Sequence, residues 1–413
     1  KWTDGTPITA HDVAFTINIA ANPKTESAVG GYISLLEGLD ENGKLPEGQD
    51  TVSGVKVIDD KSLELKTKTP IDPNTLKEQL GVKLLILPKH VLENVAPEQL
   101  AKHEFFQQPT VTSGPFKLVK YAKDQYIEYE ANPDYYRGAP KIDKLYIKLM
   151  PATNLLAQLQ TGEIHMNTGV GIGLIPNADY EAVQQLENVR VKEEKKPGIQ
   201  VMMFNVNTIT DAKVRQAMAY AIDRQLIVDN LLKGAAEVVD GPYTSINPYL
   251  DANLQTYEYN PEKAKALLAE AGWDSSRELR LVVPTGNVTR EQSANIIAQN
   301  LQNVGVKTKI EKYDFATVMQ KGKAGEFDLL LIGNNLTLDP DGATVFYKSN
   351  GTFNYMGYNS PTVDQYFEQG KKETDPAKRK EIYNELQRIW QEDLPMLTLY
   401  SDYEILAVSK QVK

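Results

Sequence analysis

The chain has 413 residues, 41% hydrophobic and 24% charged, with 45 basic against 55 acidic side chains, a net charge of −10 and no cysteine. At roughly 100 to 200 residues per domain this suggests two or three domains with real cores. It excludes collagenous and broadly disordered classes and a basic surface tracking nucleic acid, and the absent cysteines remove thiol nucleophiles, Cys-bound zinc, iron–sulfur clusters and disulfides. No apolar run approaches the roughly 18 residues needed to span a bilayer; Leu84 to Leu87, before Pro88, is among the longest. The chain opens at Lys1 and reads as folded protein from Trp2 onward, as expected of a processed or partial chain whose targeting signal lies upstream.

In chain order, the turn Asp4-Gly5-Thr6-Pro7 precedes a helix that Thr9 is placed to cap, with Val13, Phe15, Ile17 and Ile19 along it. Val55, Val57, Leu63 and Leu65 alternate as a hairpin around Asp59-Asp60, and residues 74 to 105 read as helical or irregular. Strands are expected at 116–121, 125–130 and 144–150, then a short helix from Asn154 that ends at Gly162. An apolar strand near 199–206 runs into Asp211, which caps the next helix. Helices at 261–271 and 291–304 interleave with strands at 279–283, 307–312 and 328–332, the alternation of a largely parallel sheet covered by helices. A long helix over 376–392 leads through Leu394-Pro395 into a strand at 396–399.

The residues offer little for catalysis. The four histidines, at 11, 90, 103 and 165, are scattered, with no H-E-x-x-H pair to hold zinc and no G-x-S-x-G or P-loop pattern. Gly169-Val-Gly171-Ile-Gly173 lacks the acidic residue that closes a dinucleotide unit and is read as a loop. Asp339-Pro340-Asp341-Gly342 offers paired carboxylates of the kind a glycosidase uses, but the same string is a turn signature with Asp341 set to cap a short helix from Ala343. Twenty-one tyrosines against ten phenylalanines suit a recognition surface that combines apolar area with polar tips.

Several blocks together resemble one family. The opening Lys1-Trp-Thr-Asp-Gly-Thr-Pro7, Ser113-Gly-Pro-Phe116, Asn132-Pro-Asp-Tyr-Tyr136 and Leu159 to Ile164, with His165 where Asp is usual, are similar to its successive signatures. So are Phe204-Asn205-Val-Asn207, Val214-Arg215-Gln-Ala217, Ala221-Ile-Asp223-Arg224 and Ala264 to Trp273. The ordered set resembles the extracytoplasmic solute-binding proteins of ABC importers that take oligopeptides, dipeptides or nickel.

The resemblance implies an α/β, two-lobed periplasmic-binding-protein-like fold with an accessory subdomain in the first lobe. Residues 1–112 would form that subdomain, 113–203 the rest of the first lobe, 204–394 the second lobe and 395–413 the return, in a chain truncated at both ends. It implies a non-enzymatic receptor that encloses short peptides between two lobes and delivers them to the membrane permease subunits of an importer. The receptor would be a monomer without cofactor or metal, in the periplasm or held at the outer face of the membrane by a lipid anchor lying outside this chain. The alternatives are a receptor for a nickel chelate or an oligosaccharide, and a hydrolase using Asp339 and Asp341.

For the ligand site, the strand end Gly333-Asn334-Asn335 lies at the carboxyl edge of a strand where α/β crevices hold ligands. In the family an Asp three residues before the D-P pair commonly meets the peptide amino terminus; Leu336 stands there, leaving Asn335, Asp339 or a group upstream of this chain as candidates. Arg290 is expected to meet a ligand carboxylate, and Asn205 and Asn207 to orient the crossing strand or touch ligand.

Overall fold

A computed structural model describes residues 1–27, 29–168 and 173–412, so Gly169 to Ile172 of the glycine-rich loop lie outside the described residues. The chain divides into two compact units, Lys1–Met150 and Pro151–Lys413. No described helix is long and apolar enough to cross a membrane.

In the first unit the helix Ala10–Ala21 begins where expected, with a capping box in which the Asp12 carboxylate takes the Thr9 backbone N–H at 2.8 Å. Its Ile17, Ala20 and Ala21 pack with Ile33, Leu36, Leu45 and Leu84. The Trp-x-Asp-Gly turn is a structural lock. Gly5 takes φ +92°, Asp4 accepts the Thr6 N–H, and the second Asp4 oxygen lies 2.7 Å from His90. The hairpin forms as β1 (Val55–Asp59) and β2 (Ser62–Leu65), and three antiparallel strands follow, β3 (Phe116–Ala122), β4 (Tyr126–Ala131) and β5 (Lys144–Lys148). The Ser-Gly-Pro and Asn-Pro-Asp blocks meet here, because the Asn132 side chain donates to the Gly114 carbonyl at 3.0 Å.

The second unit holds a six-stranded sheet in the order β10 (Lys307–Tyr313), β9 (Glu278–Pro284), β11 (Leu329–Asn335), β7 (Gly198–Phe204), β12 (Met396–Asp402), β8 (Ala236–Glu237). The expectation of a largely parallel sheet needs correcting. β10, β9 and β11 run parallel, but β7 is antiparallel to both β11 and β12, and β12 to β8. The sequence alternates strand and helix only between β9 and β11, and the antiparallel half is built from strands nearly 200 residues apart, a pairing that periodicity does not report. Both faces are covered. Met202 and Phe204 of β7 pack with the helices Ala212–Ala221 and Val288–Asn303, while Ile199, Val201 and Met203 meet Tyr383, Leu386 and Trp390 of the helix Pro376–Asp393. This double burial is why β7 reads as a continuous apolar run.

A second, two-stranded sheet pairs β6 (Val189–Glu194) with β13 (Glu404–Ser409) and packs on the helices Leu155–Thr161 and Tyr180–Gln184. The chain therefore passes twice, side by side, between the two sheets, at 195–197 and at Tyr403. Asp339, not Asp341, caps the turn of helix at Pro340–Ala343, accepting the Asp341 N–H at 2.9 Å, since the proline fixes the first helical position one residue after Asp339.

Asp328, at the entry to β11, accepts the Arg280 backbone N–H at 2.9 Å and its Nε at 3.2 Å, joining β11 to β9. Burial pushes this carboxyl up, but the Arg280 N–H, the Thr208 hydroxyl and the Arg280 side chain outweigh it and hold it below the ordinary aspartate value. Its contribution is thus present above the unfolded-state value and lost as pH falls through the lower folded-state value. Asp328→Asn should cost about 1.5–3 kcal/mol at pH 7. In urea unfolding at both pH values, the gap from the unaltered chain should close toward pH 2.

Candidate functional site

The carboxyl edge of β9 and β11 faces the start of β7 and the end of β12, and the helix Val288–Asn303 begins just beyond β9. Asn287 caps that helix by accepting the Arg290 N–H at 2.9 Å, and this fixes Arg290 in the first turn above the sheet edge. Gly333 pairs with Gln200 across β11 and β7, and Gln200 pairs with Tyr400 across β7 and β12. Arg290 lies over this row, its Nε 3.1 Å and its Nη2 3.0 Å from the Gln200 Oε1. Gly333 leaves room for this pair, since a Cβ would sit 2.8 Å from the Gln200 Nε2 and 2.9 Å from the Arg290 Nη2 and would push both side-chain ends aside.

The electrostatics at this edge are unbalanced. Among the described residues, the guanidinium's hydrogen-bond partner is a neutral amide. Burial pushes the Arg290 guanidinium down, opposed by Tyr400 and Asp402. Burial also pushes the Tyr400 phenol up to about 12. Asp402 acts on Arg290 only through space and is itself paired with Lys196 at 2.8 Å. A helix N-terminus adds further positive potential. Such an edge favours an incoming anion, a carboxylate above all, since a guanidinium offers it two parallel donors.

Of the residues expected from the sequence, Arg290, Gly333 and Asn335 come together. The Asn335 side-chain oxygen and the Lys196 side chain both lie close to Gly198, within 3.0 and 3.7 Å of where a Cβ would stand. The others are engaged elsewhere. Asn334 is buried, its Nδ2 3.6 Å from the Met396 sulfur, and Leu336 packs in the core with Phe346 and Tyr347. Asp339 is paired with Arg379 at 3.0 Å, with side chains 9% and 1% exposed. Asn205 donates to the Gly325 and Phe327 carbonyls and accepts the Asn207 N–H, holding the turn after β7. The Asn207 amide lies against Gly357, where a Cβ would come within 2.4 Å of it.

Gln200, Lys196, Tyr400 and Asp402 escape the sequence reading. Gln200 carries a signal: it is the one polar residue in the apolar run Ile199 to Phe204, and a polar group in a buried strand requires a partner. Among the described residues no cluster of three or more His, Asp or Glu side chains is arranged to hold a metal.

Arg290 and Arg379 should answer the same substitution in opposite ways. Arg379→Met removes the cation paired with the Asp339 carboxylate in a buried ion pair and should cost about 3–5 kcal/mol. Arg290→Met removes a half-buried cation that has no carboxylate bound to it among the described residues and should leave the thermal midpoint unchanged or raise it. Parallel calorimetric melts check this, and an equal loss in both variants would make Arg290 a structural residue.

Residues 1–357 match the model of the bacterial extracellular solute-binding proteins, family 5 Middle. The oligopeptide-binding protein AppA of Bacillus subtilis is 28% identical over 437 residues, covering 100% of this chain and 76% of AppA. The solved structure of AppA with a nonapeptide has a TM-score of 0.76 at 26% identity, over 99% of this chain and 81% of that one. The ABC transporter substrate-binding protein CtaP of Listeria monocytogenes gives a TM-score of 0.86 at 26% identity, over 99% and 80%. NikZ of Campylobacter jejuni, solved with Ni(L-His), gives 0.78 at 26%, over 100% and 81%. The expected periplasmic-binding-protein-like α/β fold is the one these structures share with it. With the matched region running from Lys1 to Gly357, the chain belongs to the bacterial extracellular solute-binding proteins of family 5.

Proposed function

We infer that the chain is a receptor for short peptides that hands them to the permease subunits of an ABC importer without chemical turnover. The observation that carries this is Arg290, a half-buried guanidinium held by the neutral Gln200 amide beside the strand end Gly333–Asn335, which pairs with β7 on one side and lies beyond the Leu329–Leu330 pairing with β9 on the other. A receptor for varied peptides has to grip what peptides share, their backbone and terminal charges. Arg290 meets the terminal carboxylate, and the end of β11 offers backbone groups to the peptide. The similarity to AppA, solved with a nonapeptide, supports the same reading.

The hydrolase alternative loses its carboxylate pair, since Asp339 is neutralised by Arg379 and Asp341 accepts the Tyr383 hydroxyl at 2.5 Å. A nickel-chelate receptor is the second reading, favoured by the similarity to NikZ. A histidine chelate also carries a carboxylate for Arg290. The receptor works as a monomer outside the cytoplasm, in the periplasm or at the outer face of the membrane, with residues 1–112 as accessory subdomain; taking the passes at 195–197 and Tyr403 as the boundary between the lobes puts β7 and β12 in the second lobe.

Calorimetry with peptides of two to ten residues should show saturable binding. Amidating the peptide carboxyl should weaken it at least tenfold, about 1.4 kcal/mol, and Arg290→Met should abolish the difference between free and amidated forms. Acetylating the amino terminus should change affinity by less than tenfold, because the buried Leu336 offers that end no charge. Failure of every peptide, alongside binding of Ni(L-His), would move the assignment to the second reading.

The paired passes at 195–197 and Tyr403 also supply a hinge. Ser401 Oγ donates to the Gly198 carbonyl at 2.7 Å and Lys196 pairs with Asp402, so the two passes move as one. Ligand should reduce the radius of gyration measured by solution scattering, and identical curves with ligand bound would mean a rigid pocket.

A further inference from the structure

The Asp-Pro-Asp turn carries more chemistry than its role in capping requires. Beside it, a cavity of about 210 Å³ lies between the helix Thr344–Tyr347 with the loop after it and the helix Pro361–Lys372. Asp341 lines it. One oxygen of its carboxylate accepts the Tyr383 hydroxyl, while the other makes no hydrogen bond among the described residues. The neighbouring Arg379 is committed to Asp339, the Gly370 carbonyl and the Tyr249 hydroxyl, leaving Asp341 without a cation in contact. Burial pushes the Asp341 carboxyl up, and the Tyr383 bond, Arg379 and Lys371 pull it back only in part.

The rest of the lining is arranged around this charge. Lys371, at the end of the helix Pro361–Lys372, also lines the cavity and makes no ion pair among the described residues. Lys348 and Glu368 neutralise each other at 2.5 Å. Val345 and Phe367 supply apolar wall. Gly351 is pressed onto the helix end, where a Cβ would come within 2.6 Å of the Val345 carbonyl and 2.7 Å of the Thr344 carbonyl, so the loop wall is fixed by contact. The lining therefore presents one anionic and one cationic group that make no ion pair among the described residues, in a wall that also includes the apolar Val345 and Phe367. Its volume falls below the roughly 300–1,000 Å³ of sites for drug-sized ligands.

We propose that this cavity is a second binding site, distinct from the Arg290 edge, for a free amino-acid zwitterion, with its ammonium on Asp341 and its carboxylate on Lys371. A solute carrying both charges compensates both groups at once. An amine or a carboxylate alone leaves one of them uncompensated, which makes the zwitterion the preferred class.

The test is calorimetric titration of the full chain with glycine, L-alanine and L-serine, and with methylamine and acetate as single-charge probes. Saturable binding of at least one amino acid is expected, at least tenfold tighter than either single-charge probe. Lys371→Met, an exposed substitution that leaves the fold intact, should weaken it at least tenfold, and Asp341→Asn should do the same. Arg290→Met should leave it unchanged, which separates this site from the peptide site whether or not peptides bind there. Absence of saturable binding, equal binding of methylamine, an unaltered affinity in Lys371→Met, or loss of binding in Arg290→Met would each overturn the proposal.

Discussion

The pairing of β7 with β11 on one side and β12 on the other sets Gln200 in a row between Gly333 and Tyr400. Both faces of this central strand are buried by helices, so a polar side chain in it must be satisfied locally. Gln200 is satisfied by Arg290, and Arg290 by Gln200, but an amide oxygen does not neutralise a guanidinium. The charge stays in place because Asn287 caps the helix that carries it and because Gly333 leaves room beneath. A site of this kind costs stability in the empty protein and recovers it when an anion binds, the usual relation between a binding centre and the scaffold around it.

The sequence blocks that resemble the family belong mostly to this scaffold. Arg215 of the Val-Arg-x-Ala block donates to the Ile209, Thr210 and Leu394 carbonyls, satisfying the end of the helix Pro376–Asp393 where Leu394 turns left-handed at φ +42°. Arg224 of the Ala-Ile-Asp-Arg block binds the Val239, Thr398 and Tyr257 carbonyls and pairs with Asp240, and Asp223 beside it caps the next helix. Asn205 ties the turn after β7 to the segment before β11. These side chains do what backbone groups at buried chain ends require, and substitutions there alter folding before they alter binding.

Helices with caps and strong periodicity were legible from the residues alone, as with the helices opened by Thr9, Asp211 and Asn260. The helix before β10 starts three residues earlier than its periodicity suggests, because Asn287 rather than a later residue caps it. The antiparallel half of the main sheet was not legible, since β7 and β12 lie far apart in sequence and each carries only an apolar run. For the site, Arg290 and the end of β11 could be singled out by position. Gln200 is marked only as the one polar residue of an apolar run, and Lys196 and Asp402 could not be singled out, because their role arises only when the two chain passes lie side by side. Asp339 looked available in sequence for the same reason: Arg379, forty residues on, is brought to it only by the fold.

The most direct measurement is a crystal structure of the chain with a bound short peptide. A peptide carboxylate should lie at about 2.7–2.9 Å from the Arg290 guanidinium, with the Gln200 amide turned away from at least one of its nitrogens. A bound peptide that leaves Arg290 hydrogen-bonded to Gln200 alone, with its carboxylate elsewhere, would contradict the assignment of Arg290 as the ligand anchor.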